Sequence, residues 1–405
     1  MSESRPDRIT VLVLTSTFPR RADDTEPAFV FELSRRLAHS YRVLVLAPHA
    51  PGALRQEDIA GVQVYRFRYF PERWQGLAYD GGILNRLRAN PLRYFQVPFF
   101  ILGQLLALRS LLRRERVDVI HAHWIIPQGL VIALGRRLGI VKVPVLCTSH
   151  GADLFALRGA VFTWLKRRIL ATCSMLTVVS TAMQQQAVAL GMPPQRVRVM
   201  SMGVDLGARF TPDPGIARGS GEILFVGRLV EKKGVIHLLH AFREVVRQRT
   251  DLRLRIVGGG ALQDSLQRAA AELGIATQVT FTGPVPGAEL PHYYRRAALA
   301  VFPFIVAGDG DQEGLGLVLV EALGCECPLL ASDLAAVRDV IRPGENGLLV
   351  PPGDRDALAA GMLALLQDPG LAARLAVAGR RSVLARYDWD RVAADYAGLL
   401  EAVSR

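Results

Sequence analysis

The chain has 405 residues, half of them hydrophobic and 21% charged, the balance of a folded globular protein of two or three domains. A disordered chain, a collagen-like repeat and a coiled-coil rod are excluded, and four cysteines exclude a disulfide-built scaffold. The net charge of +12 sits wholly in the first half: residues 1–205 carry 27 Lys+Arg against 14 Asp+Glu, and residues 206–405 carry 22 against 23. A basic half of this kind predicts a polyanionic partner, either nucleic acid or an anionic membrane surface. Met1–Arg8 is polar and mixed in charge, without the apolar core of a secretory signal, which predicts a cytosolic chain. No unbroken apolar run reaches the ~18 residues of an ordinary spanning helix.

Along the chain the hydrophobic period switches repeatedly between strand-like and helix-like. Ile9–Ser16 is a short apolar run followed by an amphipathic pattern over Glu26–Ser40. Further buried-strand candidates are Arg42–Ala47, Val117–His121, Val143–Thr148 and Leu176–Val179, then Ile223–Val226, Arg253–Val257, Leu299–Pro303 and Pro328–Ala331. Near-continuous apolar runs of this length suit parallel strands covered on both faces. Helical patterns lie between them at Val235–Arg249, Ala261–Leu273, Leu315–Leu323 and Arg355–Gln367. The alternation predicts an α/β protein with parallel sheets. Ser201–Gly221 is rich in Gly and Pro, follows neither period and reads as a linker. Two doubly wound, Rossmann-like domains of about 200 residues would bind a ligand where the C-terminal strand ends face a shared cleft.

Arg86–Arg116 stands apart. Its apolar stretch Tyr94–Leu112 is flanked by Arg86, Arg88 and Arg93 on one side and Arg109, Arg113, Arg114 and Arg116 on the other. Two readings stay open: a core-facing helix with a solvated basic end, or an interfacial helix dipping into an anionic bilayer, where each basic residue contributes about 1 kcal/mol. Arg158, Lys166, Arg167 and Arg168 would extend the same face.

Chemistry-bearing residues concentrate at predicted strand ends. In Ile223–Gly234 (ILFVGRLVEKKG) a strand reaches Gly227, and Arg228 and Lys233 follow at the start of a helix. Fixed cations beside a helix N-terminus suit a pyrophosphate; solvated surface charge is the plainer reading. Arg255–Gly260 (RIVGGG), a strand running into three glycines of which Gly259 is the middle one, lets backbone approach a ligand closely or makes only a tight turn. In Asp309–Glu321 (DGDQEGLGLVLVE), Glu313 precedes a predicted helix and Glu321 lies about two turns along it. The backbone N–H groups of Gly314, Leu315, Gly316 and Leu317 would point at an anion. Glu321 sits in an apolar run and needs a partner, either ribose hydroxyls or a structural Arg. In the first half His121-Ala-His123-Trp124 and His150-Gly151-Ala152-Asp153 each follow a predicted strand. His-x-His lacks a matching Cys/His set, so no metal is expected. Cys325 and Cys327 read as reduced, buried thiols.

Taken together these residues resemble the retaining, sugar-nucleotide-dependent enzymes of glycosyltransferase family four, of the type that builds bacterial surface polysaccharides. The resemblance rests on Phe225–Gly234, Ile256–Gly260, the Glu313/Glu321 pair and Pro328–Asp333, with His121–Gly129, Ser149–Leu154 and Ser16–Arg20 in the first half. It implies the GT-B architecture: an acceptor-side domain over residues 1–205, a donor domain over 206–386, and a terminal helix, 387–405, that crosses back to the first. It also implies a donor site in which Arg228 and Lys233 hold the diphosphate and Glu321 the ribose. Glu313 would contact sugar hydroxyls, and Gly227, Gly259 and Gly314–Leu317 would line the site. Val285 would lie beside the base and His150 near the reacting bond. The implied donor is a UDP or GDP sugar, with no further cofactor and no metal, and the acceptor a lipid-linked sugar or growing glycan. The enzyme would sit peripherally on the inner face of the cell membrane. Arg21–Pro27 replaces the glycine-rich loop of many relatives, so Asp23, Asp24 or Glu26 would face the acceptor instead.

Two other functions are weighed. A sugar-nucleotide epimerase or hydrolase on the same fold would need no acceptor. A nucleic-acid-binding protein would use the basic half, but no recognised motif is present and aromatic residues do not interleave with basic ones as a stacking platform requires.

Overall fold

The computed structural model describes residues 8–20, 24, 28–79, 82–219 and 221–405. These form two compact units. One comprises the chain to Val179, Met183–Met200 and Val392–Arg405; the other comprises Ser180–Ala182 and Ser201–Arg391. The divisions fall at Met200/Ser201 and Arg391/Val392, where the sequence expectation set them after residues 205 and 386.

The first unit is built on an eight-stranded sheet. Its strands are β1 (Thr10–Leu14), β2 (Arg42–Pro48), β3 (Gln56–Ile59), β4 (Val62–Phe67), β5 (Val119–His123), β6 (Val145–Ser149), β7 (Met175–Val178) and β8 (Val197–Val199), in the order β3-β4-β2-β1-β5-β6-β7-β8. All pairings are parallel except β3–β4, an antiparallel hairpin at one edge. The central strands β1, β5 and β6 are buried along their whole length, which explains their unbroken apolar runs. The β3 edge is polar and half-exposed, with the pattern QEDI. It is tied down by Arg66, whose fully buried guanidinium donates to Glu57 at 2.8 Å and to the Pro19 carbonyl at 2.6 Å. The terminal helix Trp389–Ser404 returns to this unit: Tyr41 donates to the Ala397 carbonyl at 2.8 Å, and Tyr396 is fully buried.

The second unit has six parallel strands, β9 (Glu222–Val226), β10 (Arg253–Val257), β11 (Val279–Gly283), β12 (Leu299–Phe302), β13 (Leu329–Ser332) and β14 (Leu348–Val350), in the order β11-β10-β9-β12-β13-β14. The strand order reverses at β9, between β10 and β12. The C-terminal strand ends at such a reversal are where open α/β sheets bind ligands.

The helix Val97–Arg114 has one packed face and one exposed face. Phe100, Gln104, Leu105, Leu108 and Leu111 are buried, and the helix packs on β2 and β4. Its other side, with the turn before it, exposes Leu92 (83%), Phe95 (68%), Leu102 (52%) and Leu106 (55%). With that turn, Pro91–Arg114 is long and apolar enough by length and composition to cross a bilayer, which the search for an unbroken apolar run overlooked. Its packed face makes it an integral part of the sheet unit. Lys166 does not extend the basic face as expected. It is buried and donates to the carbonyls of Leu154 and Leu157 at 2.6 and 2.7 Å, because its helix, Ala160–Leu170, turns this position inward.

Candidate active site

In the second unit the expected residues gather at the strand-order reversal. After β9 the backbone passes Gly227, whose N–H donates to the Val257 carbonyl at 2.9 Å. A Cβ on Gly258 would lie 2.0 Å from the Gly227 carbonyl oxygen, so the close approach of these two loops requires glycine. The chain then makes a short 3-10 turn, Glu231–Lys233, that ends at Gly234 in the left-handed region (φ +64°). A Cβ there would meet the Pro303 carbonyl oxygen at 1.8 Å. The helix Val235–Gln248 follows directly.

This turn grips the segment after β12 with three consecutive side chains. Glu231 accepts from the Gly308 N–H at 2.9 Å. Lys232 pairs with Asp311 at 3.1 Å and donates to the Gln312 carbonyl at 3.2 Å. Lys233 pairs with Glu313 at 2.5 Å and lies over the Phe304 ring, 4.5 Å from its centroid. Both lysines are buried. Burial alone would raise the Glu313 carboxyl, but Lys233, Lys232 and Arg228 outweigh it and hold the group down at about 2. Arg228 is exposed beside the pair. The sequence singled out Lys233 and Glu313 but not Lys232 and Asp311. Their signal was there, a second lysine in EKK matched by a second acid in DGDQE.

The helix after Glu313 begins at Leu317 rather than Leu315, because Gly316 takes a left-handed conformation (φ +86°) as its cap. Among the described residues, the N–H groups of Glu313, Gly314, Leu315, Gly316 and Leu317 donate to no protein acceptor. Leu317 N–H is an open donor of the helix start, and the others belong to the loop that leads into it. Glu321 falls one turn into this helix. Its protein hydrogen-bond partner is a tyrosine and not the structural Arg given as one alternative: Tyr294, fully buried in the helix Leu290–Arg296, donates to it at 3.0 Å. Burial raises the Glu321 carboxyl, against the Tyr294 hydrogen bond and the charges of Arg209 and Lys233. No motif marks Tyr294 in the sequence. Gly259 packs on Pro284, with the ring 3.1 Å from where its Cβ would lie, and Val285 follows β11, half-buried.

In the first unit β5 and β6 bring three imidazoles together. His121 Nε2 lies 2.7 Å from Thr148 Oγ1, and His123 Nδ1 lies 3.0 Å from His150 Nε2. The His123 and His150 rings lie edge to edge, 9° from parallel with centroids 5.2 Å apart, and Trp124 and Phe29 each pack with ring centroids 4.9 Å from that of His150. Asp153 pins the loop, accepting from Ile125 N–H at 2.7 Å, Ser149 Oγ at 2.8 Å and His150 N–H at 3.3 Å. Burial pushes the His121 and His150 imidazoles down to about 3, so both are neutral at ordinary pH. Among the described residues no group of His, Cys, Asp or Glu has the makings of a metal site. Cys325 and Cys327 are buried free thiols, pushed up by burial to about 12 and about 11. Asp24 pairs with Arg20 at 2.8 Å; Asp23 and Glu26 lie outside the described residues.

Residues 28–208 match the family model described as Glycosyltransferase Family 4, and residues 209–382 match Glycosyl transferases group 1. The chain is 29% identical over 403 residues to a GDP-mannose-dependent alpha-(1-6)-phosphatidylinositol monomannoside mannosyltransferase of Mycolicibacterium smegmatis, covering 96% of this chain and 98% of that protein. It is 33% identical to a D-inositol 3-phosphate glycosyltransferase of Frankia alni, over 68% of this chain and 72% of that protein. Its fold matches a sucrose-phosphate synthase of Thermosynechococcus elongatus with a TM-score of 0.78 at 23% identity, covering 98% and 99% of the two chains. With two α/β units built on largely parallel sheets, the chain belongs to glycosyltransferase family four, with the GT-B fold.

Proposed function

We propose that this glycosyltransferase is retaining and metal-independent, and that it moves a sugar from a nucleoside-diphosphate sugar to a lipid-linked or glycan acceptor at an anionic membrane surface. The observation that carries the reading is the charge cluster at the β9 switch point: buried Lys233 on Glu313, Arg228 exposed beside them, and open N–H groups from Glu313 to Leu317. Breaking a glycosyl–phosphate bond leaves positive charge on the anomeric carbon and negative charge on the departing diphosphate. Fixed cations and helix N–H groups aimed at that diphosphate stabilise the transition state more than the ground state. The acceptor oxygen bonds the anomeric carbon on the face the phosphate leaves, and its proton passes to the departing phosphate oxygen. Glu313 contacts sugar hydroxyls, Glu321 the ribose and Val285 the base. His150 lies on the acceptor side.

A GDP sugar and a phosphoinositol-type glycolipid are the substrates we favour, on the nearly full-length similarity to the mycobacterial mannosyltransferase. The peripheral, inner-face location is supported by six arginines and no acidic residue in Ile83–Arg114, around the exposed Leu92, Tyr94, Phe95, Phe99, Leu102 and Leu106. The test is turnover of GDP-mannose and UDP-glucose with a bacterial membrane lipid fraction, with and without EDTA, and assignment of the product anomer. We expect an α-linked product and a rate unchanged by EDTA. An inverted product or a strict Mg²⁺ or Mn²⁺ requirement would overturn the reading, and donor consumption without acceptor would favour a hydrolase or epimerase.

A further inference from the structure

The three imidazoles of the first unit have too few partners for all their ring nitrogens, and the shortage fixes where their protons sit. His123 Nε2 and His121 Nδ1 are fully buried and without a partner among the described residues. A neutral imidazole carries one N–H and one bare nitrogen. A buried N–H without an acceptor is rarer and more costly than an unmatched acceptor. The proton of His121 therefore belongs on Nε2, donating to Thr148 Oγ1 at 2.7 Å. Thr148 must then donate to Thr177 Oγ1 at 2.6 Å, and Thr177 donates to the Cys147 carbonyl at 3.4 Å. The single hydroxyl proton of Tyr396, on the terminal helix, is shared between Thr177 Oγ1 at 3.4 Å and the Met200 carbonyl at 3.3 Å. Every member of this chain has a consistent direction.

The same count applied to His123 puts its proton on Nδ1, facing His150 Nε2 at 3.0 Å. His150 Nε2 must then accept, so the His150 proton lies on Nδ1. That atom has no protein partner among the described residues, on a residue that keeps part of its surface open. We propose that His123 is a positioning residue that locks His150 in the Nδ1–H tautomer, so that His150 offers a hydrogen-bond donor to a substrate oxygen and does not act as a base. The two rings lie 9° from parallel with centroids 5.2 Å apart, the edge-to-edge setting of an in-plane N–H···N bond, and the packing of Trp124 and Phe29 on His150 holds the ring there. The idea that the acceptor on Nδ1–H is a substrate oxygen rests on the proposed transferase reaction; the tautomer does not.

The test has two arms. In the full chain labelled with ¹⁵N-histidine, two-bond proton–nitrogen correlation spectra assign each ring nitrogen, with His150→Gln identifying the His150 signals. We expect a pyrrole-type Nδ1 and a pyridine-type Nε2 for His150; a pyridine-type Nδ1 overturns the proposal whatever the enzyme's reaction. In the kinetic arm His123→Leu removes the donor, and His123→Asn keeps an amide N–H where Nδ1 stood. His123→Leu is expected to lower kcat by at least about tenfold and to release the His150 tautomer. His123→Asn is expected to recover most of both. Equal rates and an unchanged tautomer in His123→Leu, or no recovery in His123→Asn, would overturn the positioning role. Absence of transferase activity in the unmutated chain would sink the reaction reading and leave the spectroscopic result standing.

Discussion

Lys233 is buried and lies 2.5 Å from the half-buried Glu313, so a diphosphate held by Lys233 must share it with a carboxylate already in place. Removal of Lys233 therefore acts twice: it deletes the strongest cation of the proposed donor site and strands a buried charge. Lys233→Ala is expected to lose about 10²–10³ in kcat and to melt at a clearly lower temperature, since breaking a buried pair is strongly destabilising. Arg228 is exposed; Arg228→Ala is expected to lose turnover on a similar scale with Tm almost unchanged. Near-normal kcat in Arg228→Ala, measured beside its melting curve, would contradict the role given to that cation. The two glutamates differ in sign. The Glu313 carboxyl is held at about 2, below its free value, so its contribution to stability is present above pH ~4.5 and is lost as pH falls toward 2. Glu313→Gln should flatten the acid limb of a stability–pH profile; an unchanged limb would show the pair to be absent in solution. Burial raises Glu321, so its contribution weakens as pH rises, and Glu321→Gln is expected to gain stability at neutral pH while losing nucleotide affinity. A lower Tm for Glu321→Gln at neutral pH would contradict that assignment.

At the scale of elements, the strands buried on both faces were legible because their apolar runs are continuous, as in β1, β9 and β12. Those missed were β3, which is polar, β4, which alternates, the half-exposed edge strand β11, and the three-residue β8 and β14. Short edge strands are specified by their neighbours rather than by their own pattern. The residues of the proposed donor site, Arg228, Lys233, Glu313 and Glu321, could be chosen because spacing and glycines mark them. Tyr294 could not, since it reaches Glu321 from a separate helix that carries no motif. The start of the helix at Leu317 depended on the left-handed Gly316, which a Gly-Leu-Gly pattern alone does not reveal. Gly234 links the turn to the helix behind it. With φ +64° and the Pro303 carbonyl oxygen 1.8 Å from a Cβ, Gly234→Ala must displace the β12 segment that carries Glu313. We expect it to lose several kcal/mol of stability, or turnover at least tenfold, where Gly274→Ala, in a left-handed turn with open space around it, costs about 1 kcal/mol. Equal melting and equal rates for the two would show that the close approach is relaxed in solution.

For the whole molecule, charge and exposed apolar surface coincide. The excess of +13 in residues 1–205 accompanies exposed Leu92, Tyr94, Phe95, Phe99, Leu102 and Leu106, with Trp74 packed near them through Phe70. The protein is expected to bind vesicles containing anionic phospholipid, and binding should weaken with salt as surface charges are screened. Phe95→Ser with Leu106→Ser should reduce it several-fold without lowering Tm, since neither side chain is buried. Leu108→Ala, on the packed face, should instead cost about 2–5 kcal/mol of stability. Vesicle binding untouched by the first pair would move the membrane contact elsewhere.

The measurement that bears most directly on the central claim is nucleotide binding by calorimetry and thermal shift, with GDP, UDP and ADP against the full chain and Lys233→Ala. A micromolar nucleotide at hundredfold excess over its Kd raises stability by about 2.7 kcal/mol. The account predicts that one nucleoside diphosphate stabilises the unmutated chain without added metal, GDP foremost, and that Lys233→Ala abolishes the effect. Equal stabilisation of both proteins, or none by any nucleotide, would contradict a donor site at the β9 switch point.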